Sequence, residues 1–297
     1  MQKSISKDYS IIIPYYNHKN FIEECIQSII PFKNYIHLII VNDNSPDFEK
    51  ELFDKLKQRI DFQLIHNKSN RGIVESIKIG LRFIETKYVS ILASDDKILK
   101  TRISVQLKTI SDNNYKVMYS RHLEQSLSNK LTEIFLKPFY KSYMQNTHFK
   151  YITSRDYGLP LLQSAIFETN TFKNLIEENN SKLDDWPILI ESFKSYEAKY
   201  IDLPTFVYRL HSENSFKKYK RYLQPRLKIL LKYNQGKSLK TALGNLQYTL
   251  FEFEFQYSKR KSLKYLFLSL INTKSITPLI KASKFILYGT ISRLNRG

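Results

Sequence analysis

Asp95 and Asp96 are adjacent carboxylates at the end of an apolar run, in the stretch Ser90-Ile91-Leu92-Ala93-Ser94-Asp95-Asp96-Lys97. Two like charges side by side repel, and a divalent cation or a network of donors relieves them. A solvated turn that happens to hold two aspartates is the competing reading of the pair alone. Residues 88–92 have strand-forming content, whereas 94–97 are polar and turn-prone. The pair therefore falls just past the carboxyl end of a strand, where open α/β sheets bind their ligands. Two other polar stretches stand in the same relation to a strand. Pro14-Tyr15-Tyr16-Asn17 follows residues 9–13, and Asn42-Asp43-Asn44-Ser45-Pro46-Asp47 follows residues 37–41. Three polar loops converge on one sheet edge.

The elements that must hold these loops read as strand–helix repeats. Residues 9–14 form a buried strand ended by a proline, which cannot continue a central ladder. Asn20, with Glu23 three residues on, predicts a capping box at the start of a helix. Phe21, Ile22, Cys25, Ile26 and Ile29 give that helix an apolar stripe, so Cys25 reads as a core residue and not a nucleophile. Strands over 35–41, 62–65 and 88–92 alternate with helices over 48–59 and 73–85. This alternation predicts an α/β protein with a mostly parallel sheet covered by helices on both faces. A helix over 98–110 and a strand over 115–119 come next. Residues 120–157 have poor periodicity and predict loops and short helices. Pro187 suits a first helical position, with Asp185 as the N-cap, and 199–208 is a strand-like return.

A chain of 297 residues makes one large domain, or one domain with an appendage. Its single cysteine excludes a disulfide framework and a cysteine-rich zinc site, and a reduced cytoplasm suits it. The apolar run near the N-terminus is too short for a signal peptide, and no stretch of 18 apolar residues predicts a membrane span. The net charge of +19 is unevenly spread: residues 217–297 hold 18 Lys and Arg against only Glu252 and Glu254. Such a tail suits an anionic membrane surface, nucleic acid or an acidic polymer. Within it, residues 241–257 fit a helix or an alternating strand. Residues 262–271 and 276–294 have helical spacing, and such helices either lie on an anionic bilayer or pack on one another and on the body.

In order and spacing these pieces resemble the family-two glycosyltransferases of the GT-A fold, the bacterial kind that builds surface polysaccharide or lipopolysaccharide. The resemblance rests on the loop after Ile13, on Val41-Asn42-Asp43-Asn44-Ser45, on Asn70-Arg71-Gly72 and on Ser94-Asp95-Asp96. It continues through Leu183-Asp184-Asp185-Trp186 and Tyr208-Arg209-Leu210-His211-Ser212-Glu213-Asn214-Ser215, and covers roughly residues 8–216. It implies a catalytic domain over 1–216, with a nucleotide-sugar part to about 120 and an acceptor part from about 121. A basic, mainly helical region, 217–297, follows. Asp43 would contact the nucleotide base, although Asn42 departs from the acidic residue usual before it. Pro14 and Tyr16 would border the nucleotide, and Arg71 would be an anion partner. Asp95 would approach the ribose and metal, Asp96 would ligate the ion on the diphosphate, and His211 would lie beside that ion. Asp185 would be the general base.

The implied reaction is inverting, metal-dependent transfer of a sugar from a nucleoside-diphosphate sugar, with uridine the first choice of base. The acceptor is a hydroxyl of a saccharide or lipid-linked glycan, and the setting is the cytoplasm or the inner face of its membrane. Hard oxygen ligands would suit Mg2+ or Mn2+ better than zinc. A homo-oligomer is compatible with this reading, and no nucleic acid is expected. The competing readings are a sugar nucleotidyltransferase and a non-enzymatic basic module that binds membrane or nucleic acid. A dinucleotide-binding oxidoreductase is disfavoured because no glycine-rich turn follows the first strand.

Overall fold

Tyr9–Tyr15 (β1) carries no charged residue, and Ile11, Ile12 and Ile13 are wholly enclosed. Such a strand is stable only with both faces covered. In the computed structural model, which describes residues 8–134, 160–178, 186–211, 227–228, 231–232, 236–255 and 257–294, β1 lies inside a nine-stranded sheet. It pairs in parallel with β2 (Ile36–Asn42) and β4 (Tyr88–Ile91), and β2 pairs in parallel with β3 (Gln63–His66). The connections carry α1 (Lys19–Ile29), α2 (Lys50–Lys57) and α3 (Ile73–Leu81). Ile22, Cys25, Ile26 and Ile29 of α1 join Ile11, Ile13, Leu38 and Ile40 in one core. α3 covers the opposite face. There Gly80 permits the contact, since a Cβ on it would stand 2.8 Å from Ile12 Cγ2.

Beyond β4 the expected parallel sheet becomes a mixed one. β5 (Lys97–Ile98), β6 (Val117–Gln125), β7 (Leu131–Ile134), β8 (Ile166–Glu168) and β9 (Lys199–Arg209) complete it. The order is β3-β2-β1-β4-β8-β6-β9-β5, with β7 on β6. β8 runs antiparallel to both β4 and β6, β5 runs antiparallel to β9, and only β6 and β9 are parallel to each other. The change is made by β8, which is inserted between β4 and β6 and runs against both. The single helix expected over 98–110 is also corrected. Ile98 pairs with β9, Arg102–Leu107 is π-wound, and Lys108–Asp112 (α4) is α-helical. Likewise, residues 120–134 form the end of β6 and a hairpin to β7 where loops and short helices were expected.

Arg102 is fully buried where that wide-turned helix meets the middle of the sheet. Its guanidinium donates to the carbonyls of Ala165 (3.1 Å) and Gln163, and lies 6.0 Å from the Phe206 ring centroid. Burial lowers its pKa, so the charge is held at a cost that those carbonyls offset. Arg102→Ala, which strands both carbonyls and leaves a cavity, is expected to lower the free energy of unfolding by about 3–5 kcal/mol. Arg102→Met, which keeps most of the volume, should lose about half as much. Urea titration of both variants measures this.

The chain divides into two compact units, Met1–Thr147 with Pro160–Asn214, and His148–Leu159 with Ser215–Gly297. The first contains the sheet, together with α5 (Thr169–Glu178) and α6 (Trp186–Tyr196). The second contains α7 (Gly236–Glu254), α8 (Lys259–Thr273) and α9 (Thr277–Leu294), with Tyr248, Phe251, Leu266 and Ala282 forming its small core. The helical reading of residues 241–257 therefore holds through Glu254. No helix of the described residues is long and apolar enough to cross a membrane.

Candidate active site

The turn after β4 closes with the Asp96 N–H on the Ala93 carbonyl at 2.9 Å, and Asp95 projects from it into a group of imidazoles. Asp95 Oδ2 lies 2.8 Å from His211 Nε2 and 3.6 Å from His18 Nε2. His18 Nδ1 is 2.8 Å from Ser94 Oγ, so the serine before the aspartate pair fixes the ring. One ligand atom from each of His18, Asp95 and His211 lies within 4.8 Å of the others. Burial alone would raise the Asp95 carboxyl, but the His211 hydrogen bond and the neighbouring imidazoles outweigh it and hold the group below the usual carboxylate range. Burial lowers the His18 imidazole against the pull of Asp95, which favours the neutral, ligating form at neutral pH.

Each member is held by a different element. The chain leaves β1 through Asn17, left-handed at φ 56°, whose N–H donates to Ser45 Oγ at 2.7 Å. Asp47 then caps α1: its Oδ2 accepts the Lys19 N–H at 2.8 Å, and its Oδ1 accepts the Tyr15 hydroxyl at 2.8 Å. This cap corrects the expected Asn20–Glu23 box, because α1 begins at Lys19 and a neighbouring loop supplies the acceptor. His18 is thus placed by β1, α1 and the loop after β2 together.

His211 is placed by Arg209, the last residue of β9. The Arg209 side chain donates to the carbonyls of Asp95 and Phe21 (2.8 Å for the latter), and pairs with Glu24 at 3.2 Å. Phe21 also packs on the His211 ring, with centroids 4.4 Å apart.

Asp96 stands apart from the triad. It is fully buried; its Oδ1 accepts the Arg209 backbone N–H at 3.1 Å, and its Oδ2 has no hydrogen-bond partner among the described residues. Burial, then the adjacent Asp95 charge, raises its carboxyl well above the ordinary value. Asp43 is buried too, and its carboxylate is already occupied. It accepts from Asn67 Nδ2 (2.8 Å), the Arg71 N–H (2.8 Å) and the Gly72 N–H (2.7 Å), which binds the 67–72 loop to the sheet edge. The Arg71 side chain is exposed and lies 3.9 Å from Glu75. Pro14 is half-buried in β1 and Tyr16 is exposed just beyond it. Asp185 lies outside the described residues.

The structure thus brings Asp95 and His211 together and adds His18, which sequence reasoning leaves as one residue of a loop. The available signal was its position on the same strand-exit edge as Asp95. The donor set fits a divalent ion: two imidazole nitrogens and one carboxylate oxygen, preheld by Ser94 and Arg209. With His18 added to the one imidazole expected, His211, it is softer than the expected set and favours Mn2+ over Mg2+.

Residues 10–203 match the model of glycosyl transferase family 2. Among curated relatives, the minor teichoic acid biosynthesis protein GgaB of Bacillus subtilis is 35% identical over 102 residues, which cover 33% of this chain and 11% of that protein. The chain spans a quarter or less of the length of several curated relatives it matches. In fold it is similar to S. aureus TarS 1–349 in complex with UDP-GlcNAc, with a TM-score of 0.59 at 14% identity, covering 88% of this chain and 79% of that one. It is similar also to the mannosyltransferase PcManGT from Pyrobaculum calidifontis in complex with GDP-Man and Mn2+. The TM-score there is 0.56 at 13% identity, covering 95% and 80% of the two chains.

Proposed function

This chain belongs to glycosyl transferase family 2, and we propose on that footing that it moves a sugar from a nucleoside-diphosphate sugar to a hydroxyl of a glycan acceptor, with inversion at the anomeric carbon. The observation that carries this reading is the His18–Asp95–His211 group at the strand-exit edge, beside the loop held by Asp43. Transfer needs the charge that develops on the departing diphosphate to be neutralised. A divalent ion, when bound, supplies that neutralisation, and His18, Asp95 and His211 would hold it.

The chain's own groups supply the rest. Asp43 fixes the 67–72 loop at the sheet edge, where it would contact the nucleotide base. Pro14 and Tyr16 border the nucleotide, and Arg71 offers a cation at the entrance. Asp185 accepts the proton of the acceptor hydroxyl as it attacks opposite the leaving group. GgaB is named for teichoic acid synthesis and TarS binds UDP-GlcNAc, which supports a surface-glycan acceptor and a UDP-sugar donor.

The test is release of free nucleoside diphosphate from a panel of UDP- and GDP-sugars with an acceptor mixture, in Mn2+ or Mg2+. The expected result is release that requires the ion, with half-saturation at about a tenfold lower concentration of Mn2+ than of Mg2+. Release unaffected by chelation, or pyrophosphate from a nucleoside triphosphate instead, would overturn the assignment.

A further inference from the structure

α8 is built with its small polar residues inside. Toward its neighbours in the second unit it turns Ser262 and Ser269, both wholly buried, with Leu266 between them. The approach of α7 to α8 is close, since a Cβ on Gly244 would stand 2.5 Å from Thr273 Cγ2. The large apolar side chains of α8 are on the other side: Leu263, Phe267 and Ile271, one turn apart, are 59%, 62% and 54% exposed. Arg260 and Lys264 are exposed and, at helical spacing, share that side. Through the turn into α9 the exposed apolar surface continues with Ile276, Leu279 and Ile280. From residue 255 to 297 the sequence has nine Lys and Arg and no Asp or Glu.

We infer that this face of α8, with the first turn of α9, docks on an anionic lipid bilayer. A row of leucine, phenylalanine and isoleucine within a field of cations matches a partner that is negative at its surface and apolar just beneath it. The long stems of Arg260 and Lys264 reach headgroups while the apolar row enters the acyl boundary. A second copy of the same face is a poor occupant, because it presents the same positive charge. Nucleic acid would answer the cations and leave the aliphatic row in water. The inference is independent of the donor chemistry, and seats the chain beside lipid-linked acceptors.

Flotation of the full chain with vesicles tests it, using phosphatidylcholine alone or with about one third phosphatidylglycerol. The chain is expected to float with the anionic vesicles, to stay behind with the neutral ones, and to be released as salt rises. Phe267→Ser and Leu263→Ser should each lower the partition coefficient about tenfold. Arg260→Gln and Lys264→Gln should each lower it about fivefold. Unfolding midpoints should not move, since all four side chains are exposed. Four results would each overturn the proposal. They are no flotation, flotation indifferent to all four substitutions, a lowered midpoint in Phe267→Ser (a face covered by the chain itself), and a dimer that Phe267→Ser dissolves. Preferential binding of an oligonucleotide, lost in Arg260→Gln, would do the same. None of these outcomes alters diphosphate release from donor, so failure here is separable from failure of the assigned activity.

Discussion

Asp95→Asn is expected to lower the affinity for Mn2+ by about a hundredfold or more, and kcat/KM by about a thousandfold. The substitution keeps the shape of the side chain and leaves an acceptor for His211, whose Nε2 lies 2.8 Å away. What it removes is the one negative charge among the three donors, with two imidazoles left to hold a doubly charged ion. Asp96→Asn is the informative partner. Asp96 is buried, its carboxyl is raised, and its Oδ1 serves the Arg209 backbone N–H. An amide oxygen accepts that N–H equally well, so Mn2+ affinity in Asp96→Asn should stay within about threefold of the parent. Titration of free Mn2+ by electron paramagnetic resonance reads both variants without a donor substrate. Wild-type affinity in Asp95→Asn together with loss in Asp96→Asn would return the ion to Asp96. Because protons compete with the ion for the His18 imidazole, which burial holds below its ordinary value, Mn2+ affinity in the parent should fall once the solution is acidified below the ordinary imidazole range.

The contrast between these neighbours marks where sequence stops being informative. That both aspartates end a strand is legible from the apolar run before them. Which of them joins the two imidazoles is not, since it depends on β9 arriving beside the turn and on its Arg209 N–H bonding to Asp96. β1 and β2 were legible because each carries several consecutive apolar residues, and β3 and β4 because their shorter apolar content alternates with helices of the right length. β5 and β8 have two and three residues, too few for any periodicity, and yet β8 is what turns the sheet from parallel to mixed. His18 was hidden for a related reason. Its role comes from Asp47, 29 positions on in sequence, and from Ser94, both brought to it only by the sheet. Asp43 shows the opposite effect. Its place at the edge was legible, but its three loop hydrogen bonds give it a structural duty that composition does not reveal.

Asp185→Asn is expected to lower kcat by about 10²–10⁴-fold while the KM for donor and the affinity for Mn2+ stay close to those of the parent. Asp185 immediately precedes α6, whose first residue is Trp186, and an aspartate at that position is also a good N-cap. The two roles separate under substitution. Asparagine caps a helix as well as aspartate does, so Asp185→Asn preserves that contribution and removes only the group that takes a proton. Asp185→Ala removes both, and should add a stability loss of about 1 kcal/mol to the same loss of turnover. If Asp185 were a cap alone, the asparagine variant would keep full turnover and only the alanine variant would be impaired, through stability. A base acts on the acceptor, so slow hydrolysis of the donor by water should fall along with transfer, because water too must lose its proton. Single-turnover measurements at saturating Mn2+ give the decisive number. An asparagine variant with more than a tenth of the parent rate would remove Asp185 from the chemistry.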